Sequence, residues 1–313
     1  MGPLFFLIYI NDMSKASSLL RHILFADDTN QYIANKSRTG LYKNANSELK
    51  KVAYWVAHNK LTINNEKTEF IEFSKSKINS RNELMLLING KPIRRVDECK
   101  FLGVFIDSSI TWRSHIHKII TKISQTIGII GRARSFMNAT QLALLYNTMV
   151  LPHLQYCIIN WGNFRHDSNI GLQNKLLTLQ KCLVRLISGA HRISHADPLF
   201  FKHSILKIDD LYEQSIRMFS FKLQKKLIPL EIASMFSKIE HSYNTRGARN
   251  NFYVVHSDKR SMKSIAPACW NSIPTDLKQC PSIASFKSNS KKALLAPYAS
   301  FSCKTRNCKS CQV

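Results

Sequence analysis

Two adjacent carboxylates, Asp27 and Asp28, stand between apolar, strand-forming segments in residues 21–33. This pattern predicts a β-hairpin that carries both acids at its turn. Packed strands would hold the two side chains at the rim of a sheet, and carboxylate oxygens are ligands that Mg²⁺ prefers. The pair therefore indicates a magnesium site for chemistry on phosphates, with an ordinary Asp-rich turn as the alternative interpretation.

The elements that would position this pair lie in the first part of the chain. Residues 1–111 contain most of the strand-like runs and 11 of the 20 acidic residues. We expect Phe25 and Tyr32 to be core residues of the hairpin. The apolar run 4–10 predicts a buried element, because it is too short to span a bilayer and lacks the flanks of a signal peptide.

Residues 112–227 have the periodicity of successive amphipathic helices. A helix over 140–151 should end or kink at Pro152, and another should begin at Asp209 as its N-cap. Two apolar stripes predict core-facing helical faces: Ile116, Ile119, Ile120, Ile123, Ile127 and Ile130, and then Leu172, Leu176, Leu179, Leu183, Leu186 and Ile187.

Beyond Leu227 the periodicity weakens and prolines become frequent, which predicts a looser appendage with a flexible basic tail. The tail contains Cys303, Cys308 and Cys311, and the last two have zinc-ligand spacing. No fourth ligand is evident, so free surface thiols are the alternative. The eight cysteines of the chain lack the density of a secreted disulfide scaffold, which favours reduced thiols.

The charge balance indicates a polyanionic partner. The 313 residues hold 45 Lys plus Arg against 20 Asp plus Glu, a formal net charge of +25, and 44% apolar residues exclude a disordered chain. Residues 108–207 contain two acids against twelve Lys or Arg. Individually these are solvated helix faces, but together they favour contact with a nucleic-acid backbone.

Several motifs resemble the reverse transcriptases of non-LTR (LINE-type, jockey/CR1-like) retrotransposons. Residues 2–12 resemble the end of the family's motif B, and Phe25-Ala-Asp27-Asp28 its motif C. Residues 59–68 resemble motif D and residues 100–112 motif E. The resemblance continues in the stretch with Tyr156-Cys157 and Trp161-Gly162, in 241–246 and in 270–274.

The resemblance implies an α+β fold: the C-terminal part of a reverse-transcriptase palm, an antiparallel sheet with helices, in 1–111. A mainly α-helical thumb would follow in 112–227 and the looser C-terminal appendage in 228–313. It also implies an RNA-directed DNA polymerase that uses an RNA template, a DNA primer, deoxynucleoside triphosphates and two Mg²⁺ ions. Asp27 would be the principal metal ligand and Asp28 an auxiliary one.

Two further site assignments come from the same resemblance. Lys67, in the motif D match, would lie near the pyrophosphate as a charge stabiliser or proton donor, and a solvated loop lysine is the alternative. Phe101, Leu102 and Gly103, in the motif E match, would form the primer grip, with Gly103 allowing close approach of the backbone. An ordinary buried strand is compatible with that role.

In the family a third carboxylate comes from motif A, and this sequence starts within motif B. The resemblance therefore implies an N-terminally truncated fragment without motif A, the fingers or the endonuclease domain, and an upstream fragment that completes the palm as a partner. Glu48, Glu66, Glu69 and Glu72 lie in segments that the family places elsewhere. We expect the chain alone not to polymerise DNA.

Two other hypotheses remain open at this point. The first is that the chain is a non-catalytic, basic remnant that binds nucleic acid. The second is that it is a decayed insertion without selected function. An intracellular location, nuclear or cytoplasmic, is expected, with no membrane association, because the sequence shows no signal peptide or transmembrane segment.

Overall fold

The computed structural model describes residues 2–74, 84–164, 169–239, 251–255, 261–300 and 303. The chain divides into two compact units, Met1–Ile110 and Thr111–Val313. All strands of the described residues lie in the first unit, whereas the second is helical. The mixture of helices and strands agrees with the expected α+β class, while the names palm and thumb remain predictions.

In its described residues the first unit, here the strand unit, combines two α-helices and one 3₁₀ helix with four strand pairs. β1 and β2, β4 and β5, and β7 and β8 are antiparallel, whereas β3 and β6 are parallel. Its elements are α1 (Gly2–Ile10), a 3₁₀ helix (Asn11–Lys15), β1 (Arg21–Phe25), β2 (Asp28–Tyr32), α2 (Arg38–His58), β3 (Glu69–Phe70), β4 (Leu87–Ile88), β5 (Lys91–Pro92), β6 (Arg94–Arg95), β7 (Glu98–Phe101) and β8 (Val104–Asp107).

The single antiparallel sheet expected for this region does not occur among the described residues, which form four separate two-stranded sheets. Apolar alternation predicts where strands occur, but it does not specify which strand lies beside which. The pairing had to come from the tertiary structure.

The core of the strand unit is built on α2. Ser37 caps the helix, its side chain accepting a hydrogen bond from the Gly40 backbone N–H. One face of the helix buries Leu49, Val52 and Val56. These three pack with a small set of apolar side chains from the rest of the unit: Ile10, Met13, Leu20 and Ile88.

Helix α1 differs from the buried element expected over residues 4–10. Of its nine residues only Ile10 is buried, and Phe5 and Ile8 are 62% and 66% exposed. The helix is apolar on all sides, so a single neighbouring core covers only part of it, at Phe6 and Ile10. The expectation of burial was wrong because the apolar composition of a segment does not indicate how much of it other parts of the fold cover.

The second unit, here the helical unit, begins with α3 and continues to the end of the described chain. Its helices are α3 (Arg113–Ala133), α4 (Ala139–Met149), α5 (Leu151–Gln155), α6 (Ile158–Trp161), α7 (Ile170–Ser188), α8 (Asp197–Lys202), α9 (Ile208–Gln224), α10 (Leu230–Ala233), α11 (Met262–Ser272), α12 (Thr275–Lys278) and α13 (Ile283–Ala299).

Both predicted apolar stripes face the main core of this unit. On α3, Ile116, Ile123 and Ile130 are fully buried, and on α7 Leu176 and Leu183 are fully buried. The expected break near Pro152 is also present, since α4 ends at Met149 and α5 begins at Leu151. The periodicity thus predicted the packed faces of these helices correctly.

The expected N-cap of α9 was wrong. Lys207 occupies the cap position without a side-chain cap, and Asp209 lies in the first helical turn. Gln180 explains the shift, because its Oε1 accepts the hydrogen bond of the Ile208 backbone N–H at 2.9 Å. A buried side chain from α7 thereby replaces the local cap.

Helices α10 to α13 lie in the described residues after Leu227, the region expected to form an appendage. Trp270 of α11 and Phe286 of α13 are buried with Phe221 of α9, and the rings of Phe221 and Phe286 stack at 4.3 Å between centroids. Leu294 of α13 joins the main core of the helical unit. The periodicity did not predict these helices, because aromatic contacts with α9, rather than a regular apolar stripe, hold them in place.

No helix in the described part of the chain is long and apolar enough to cross a lipid bilayer.

Candidate active site

The hairpin predicted around Asp27 and Asp28 is present. β1 and β2 are joined by a two-residue loop, and Phe25 is the pairing partner of Asp28. Asp27 therefore lies in the loop itself and Asp28 is the first residue of the returning strand. Both side chains are exposed, so their oxygens are accessible to an ion or a phosphate-bearing substrate.

The hairpin contacts the core through one face only. Leu24 packs against the core of the strand unit, and His22 on the same face is half-buried. Burial lowers the pKa of His22, which keeps this imidazole neutral at neutral pH. Contact with the core on this side fixes the base of the hairpin while its tip reaches solvent.

Phe25 and Tyr32 are not core residues, contrary to expectation. They are 60% and 51% exposed and lie on the face of β1 and β2 opposite Leu24. A two-stranded sheet has two faces, and the described core of this unit covers only one. Asp28 shares the open face with Phe25, because directly paired residues project to the same side.

The donor chemistry of this tip fits a magnesium ion in part. Asp27 and Asp28 supply the one or two carboxylates that Mg²⁺ commonly takes from a protein, and solvent has access to the remaining coordination positions. Among the described residues, no group of three or more His, Cys, Asp or Glu side chains is arranged to hold a metal. The hairpin alone thus provides an open, two-carboxylate site.

Lys67 lies in a turn that Asn64 organises. The Asn64 side-chain Oδ1 accepts hydrogen bonds from the backbone N–H groups of Glu66 at 3.1 Å and of Lys67 at 3.2 Å. The Asn64 carbonyl also accepts the Thr68 hydroxyl at 2.7 Å. Lys67 itself is exposed, so the turn fixes its backbone and leaves its ammonium group in solvent.

The hairpin of β7 and β8 carries the residues expected as the primer grip. Leu102 and Gly103 form its two-residue loop, both with positive φ angles, of 43° and 86°. Phe101 and Leu102 are half-buried and Val104 is buried. The side chains of Phe101, Leu102 and Val104 therefore anchor the hairpin, and exposed Gly103 leaves the backbone accessible at its tip.

Sequence reasoning missed the backbone strain in two of the three two-residue hairpin loops of the described chain. The loop between β4 and β5 is Asn89-Gly90, which is the favoured chemistry for positive φ. The other two loops place Ala26, at φ 51°, and Leu102 in the left-handed region. A non-glycine residue there costs about 1–2 kcal/mol, and such strain is concentrated at functional sites.

A common core, rather than direct contact, relates two of the predicted site segments. Leu24 of the β1–β2 hairpin and Leu61 and Ile63, shortly before Lys67, pack against the same buried cluster. The Tyr9 hydroxyl also donates to the carbonyl of Asn59, which ties α1 to the start of the segment that leads to Lys67. The structure thus mounts the Asp27–Asp28 and Lys67 segments on one support.

Two of the acids that the sequence analysis set aside are structural. Glu72 binds the Arg38 guanidinium at 2.8 Å and the Tyr42 hydroxyl at 2.9 Å. Burial acts to raise the pKa of Glu72, but these partners and Arg95 bring it below its usual range. Glu48 is buried and bound to Ser17 and Lys51. Both carboxylates are therefore engaged within the fold.

The positive excess of the helical unit lies largely on its surface. Among the described residues the exposed cations of α3 and α7 are Arg113, Lys118, Lys122, Arg132 and Lys175. The buried stripes of the same helices leave these side chains on the outward faces. Of the tail cysteines, Cys303 is half-buried, whereas Cys308 and Cys311, like residues 241–246, lie outside the described residues.

The comparisons with known proteins agree with the motif resemblance. Residues 1–106 match the family described as reverse transcriptase (RNA-dependent DNA polymerase). The chain is 33% identical over 107 residues to the "RNA-directed DNA polymerase from mobile element jockey" of Drosophila funebris. This match covers 33% of the chain and 11% of the relative.

A second relative extends the match into the helical unit. The chain is 23% identical over 225 residues to the "Probable RNA-directed DNA polymerase from transposon X-element" of Drosophila melanogaster, which covers 68% of the chain and 23% of that protein. The chain thus spans between a tenth and a quarter of the length of these relatives. No solved structure matches it. These matches support the resemblance of the chain to reverse transcriptases of LINE-type, non-LTR retrotransposons, and residues 1–106 are the segment that matches the family.

Proposed function

We propose that this chain carries the metal-binding hairpin of an RNA-directed DNA polymerase, with Asp27 as the principal ligand and Asp28 as the auxiliary one. The observation that supports this is the position of both acids, exposed at the tip of a hairpin whose base packs on the core. The tip lies within the segment that matches the reverse transcriptase family. Strain at Ala26, beside Asp27, is a second support.

The reaction is nucleotidyl transfer from a deoxynucleoside triphosphate to a primer 3′ hydroxyl, directed by an RNA template. Divalent ions held by Asp27 and Asp28 would lower the pKa of the primer hydroxyl and stabilise the charge on the transferred phosphoryl group. Asp28 begins the paired strand β2 and Asp27 lies in the two-residue loop before it, so the hairpin holds the backbones of the two acids next to each other. Lys67 belongs to the same unit, and Leu61 and Ile63, shortly before it, pack on the same core as Leu24, which supports a joint role with the two acids.

Lys67 acts on the pyrophosphate, either through its charge or as a proton donor. Its turn is stabilised by Asn64, so its backbone position does not depend on substrate. Phe101, Leu102 and Gly103 act as the primer grip. The half-buried side chains of Phe101 and Leu102 anchor the loop, and Gly103 permits the primer backbone to approach.

The hairpin is proposed to be insufficient for catalysis by itself. It contributes two carboxylates, and no third acid is grouped with them among the described residues. In the family that the motifs resemble, a third carboxylate comes from motif A, which precedes motif B, and we expect such a segment to complete the site. Loss of such an interaction typically costs a hundredfold or more in rate.

Metal binding by the hairpin can be tested directly on the 313-residue chain. Fe²⁺ is substituted for Mg²⁺, and hydroxyl radicals generated with ascorbate and peroxide cleave the backbone near the bound ion. We expect cleavage near residues 26–29, competed by excess Mg²⁺ and lost in Asp27→Asn. Asp12→Asn, an exposed acid outside the hairpin, is the matched control and should leave cleavage unchanged.

Primer extension on an RNA template tests the polymerase assignment. The 313-residue chain is compared with a longer product that includes in-frame upstream coding sequence. We expect extension only by the longer product and its loss in Asp27→Asn. Retention of extension by Asp27→Asn would refute the assignment, and extension by the 313-residue chain alone would refute its catalytic insufficiency.

A second candidate function is sequence-independent binding of nucleic acid by the helical unit. The exposed cations of α3 and α7 favour it, because each neutralised phosphate releases counterions. Affinity should fall steeply as salt rises from about 50 to 200 mM. A flat response, or an unchanged response after Lys118→Gln and Lys122→Gln together, would discard this function.

A further inference from the structure

An open groove on the strand unit lies along one face of α2. It encloses about 530 Å³ and is lined by Ala16, Lys50, Lys51, Tyr54, Trp55 and His58. Five of these residues come from α2 at helical spacing, and Ala16 follows the 3₁₀ helix. The groove is not part of the hairpin that carries Asp27 and Asp28.

An aromatic platform forms the floor of the groove. Tyr54 is 66% exposed, and its ring lies 3.7 Å from that of His58 between centroids, with an interplanar angle of 34°. The His58 Nδ1 is bound at 2.9 Å to the Tyr54 carbonyl, which fixes the imidazole. Trp55, which also lines the groove, is half-buried against the core of the unit.

The charge of the groove is positive. Lys51 binds Glu48 at 2.7 Å, and Glu48 is buried, so these two charges compensate each other. Lys50 is exposed and contributes the remaining charge. It lies one turn before Tyr54, a spacing that brings side chains on a helix to within about 5–6 Å.

We propose that this groove binds single-stranded nucleic acid, with a base stacked on Tyr54 and the adjoining phosphate bound by Lys50. Aromatic rings beside cations are the combination that single strands require, because their bases expose π-faces and their backbone is anionic. A duplex buries those faces in its own stack. The +25 net charge of the chain attracts such a strand to the surface.

The site is distinct from the proposed metal hairpin and does not depend on catalysis. It gives the strand unit a contact for an unpaired strand of template or product. The groove is built from side chains whose backbone belongs to one rigid helix, so the platform exists before the strand binds.

Photo-crosslinking tests the proposal with a defined probe. The 313-residue chain is mixed in EDTA with a twelve-nucleotide oligothymidylate carrying one 5-iodouracil, irradiated and digested with trypsin. We expect an adduct on the peptide 52–60, which contains Tyr54, Trp55 and His58 and lies between Lys51 and the cleavage site at Lys60. Excess unlabelled single strand should remove this adduct more effectively than duplex.

Substitutions separate stacking from charge. Tyr54→Ala should reduce the adduct about tenfold, the effect of losing one stacked base, whereas Tyr54→Phe should retain it. Lys50→Gln should reduce the adduct, and Lys43→Gln, an exposed lysine of α2 outside the groove, should not. Asp27→Asn should leave it unchanged, so failure of the metal hairpin and failure of the groove are distinguishable.

Three outcomes would overturn the proposal. These are adducts confined to peptides of the helical unit, equal loss with Tyr54→Phe and Tyr54→Ala, and equal competition by duplex and single strand. Amide hydrogen exchange over α2 confirms that each variant is folded. The adduct of the unsubstituted chain is independent of any folding defect.

Discussion

The strand unit and the helical unit use their apolar residues differently. The twelve largest fully buried side chains of the described residues all lie in the helical unit, among them Trp161, Tyr146 and Phe200. In the strand unit large apolar side chains such as Phe5 and Phe25 are more than half exposed. The helical unit therefore contains most of the buried apolar surface that stabilises a fold.

This difference indicates a division of labour. The strand unit presents its chemistry at the tips of short hairpins, where Asp27 and Gly103 are exposed and Ala26 and Leu102 are strained. The helical unit presents a cationic outer surface over a dense core. Apolar side chains that stay exposed do not contribute to stability, so the strand unit should be the less stable of the two.

The largest expected effect is a difference in stability between alanine substitutions of two phenylalanines, one in each unit. Phe200→Ala in α8 should lower the free energy of unfolding of the helical unit by about 3–5 kcal/mol, because the side chain is fully buried. Phe25→Ala should change the free energy of unfolding of the strand unit by less than about 0.5 kcal/mol, because the Phe25 ring is 60% exposed. Denaturant-dependent hydrogen exchange, resolved by unit, measures both. Similar losses in the two variants would contradict the comparison.

The second prediction concerns the buried carboxylate of the strand unit. Glu72→Gln should destabilise that unit by about 1–3 kcal/mol, because it weakens the bonds of a buried carboxylate to Arg38 and Tyr42. Glu69→Gln is the matched control, since its partner Arg94 is exposed and the Glu69 side chain is less buried than that of Glu72. It should cost less than about 0.5 kcal/mol. Equal effects on urea unfolding would show that burial of Glu72 contributes little.

The third prediction exchanges residues between two similar hairpin loops. Leu102→Asn should stabilise the β7–β8 hairpin by about 0.5–1 kcal/mol, because asparagine tolerates the left-handed conformation better than leucine. Asn89→Leu should destabilise the β4–β5 hairpin by a similar amount. Local hydrogen exchange reports both changes. Destabilisation by Leu102→Asn would mean that contacts of the leucine side chain outweigh its backbone strain.

The fourth prediction concerns the pH dependence of the stability of the helical unit. Burial lowers the pKa values of His115, His153 and His203. The unfolded chain then binds more protons than the folded one near and below pH 6.5, so stability falls as the pH drops through that value. His115→Gln should reduce the difference in melting temperature between pH 7.5 and 5.5. His117→Gln, at an exposed position, should not.

Local features of the site were accessible from the sequence because they depend on neighbouring residues. The acidic pair between strand-forming runs predicted the hairpin of Asp27 and Asp28, and 3.6-residue periodicity predicted the buried faces of α3 and α7. The motif resemblance to reverse transcriptases was confirmed by the comparisons. The assigned roles of Lys67 and of Phe101, Leu102 and Gly103 stay predictions.

Nonlocal features were not accessible in the same way. The sequence placed Phe25 and Tyr32 in a core that the described fold does not provide, and it concealed the packing of α13 on α9. It also gave no sign that Ala26 and Leu102 adopt positive φ angles or that Tyr54 stands open beside Lys50. Burial and strain depend on which distant segments meet.

The order of residues alone determined the chemistry this protein can offer, namely two carboxylates at a turn, a strong cationic excess and helices with apolar stripes. The tertiary structure decided which of these groups reach solvent, which strands pair and where rings and charges adjoin. The physical reason is that side-chain type and local periodicity are encoded within a few residues. Exposure, in contrast, is the balance of contacts contributed by the whole fold.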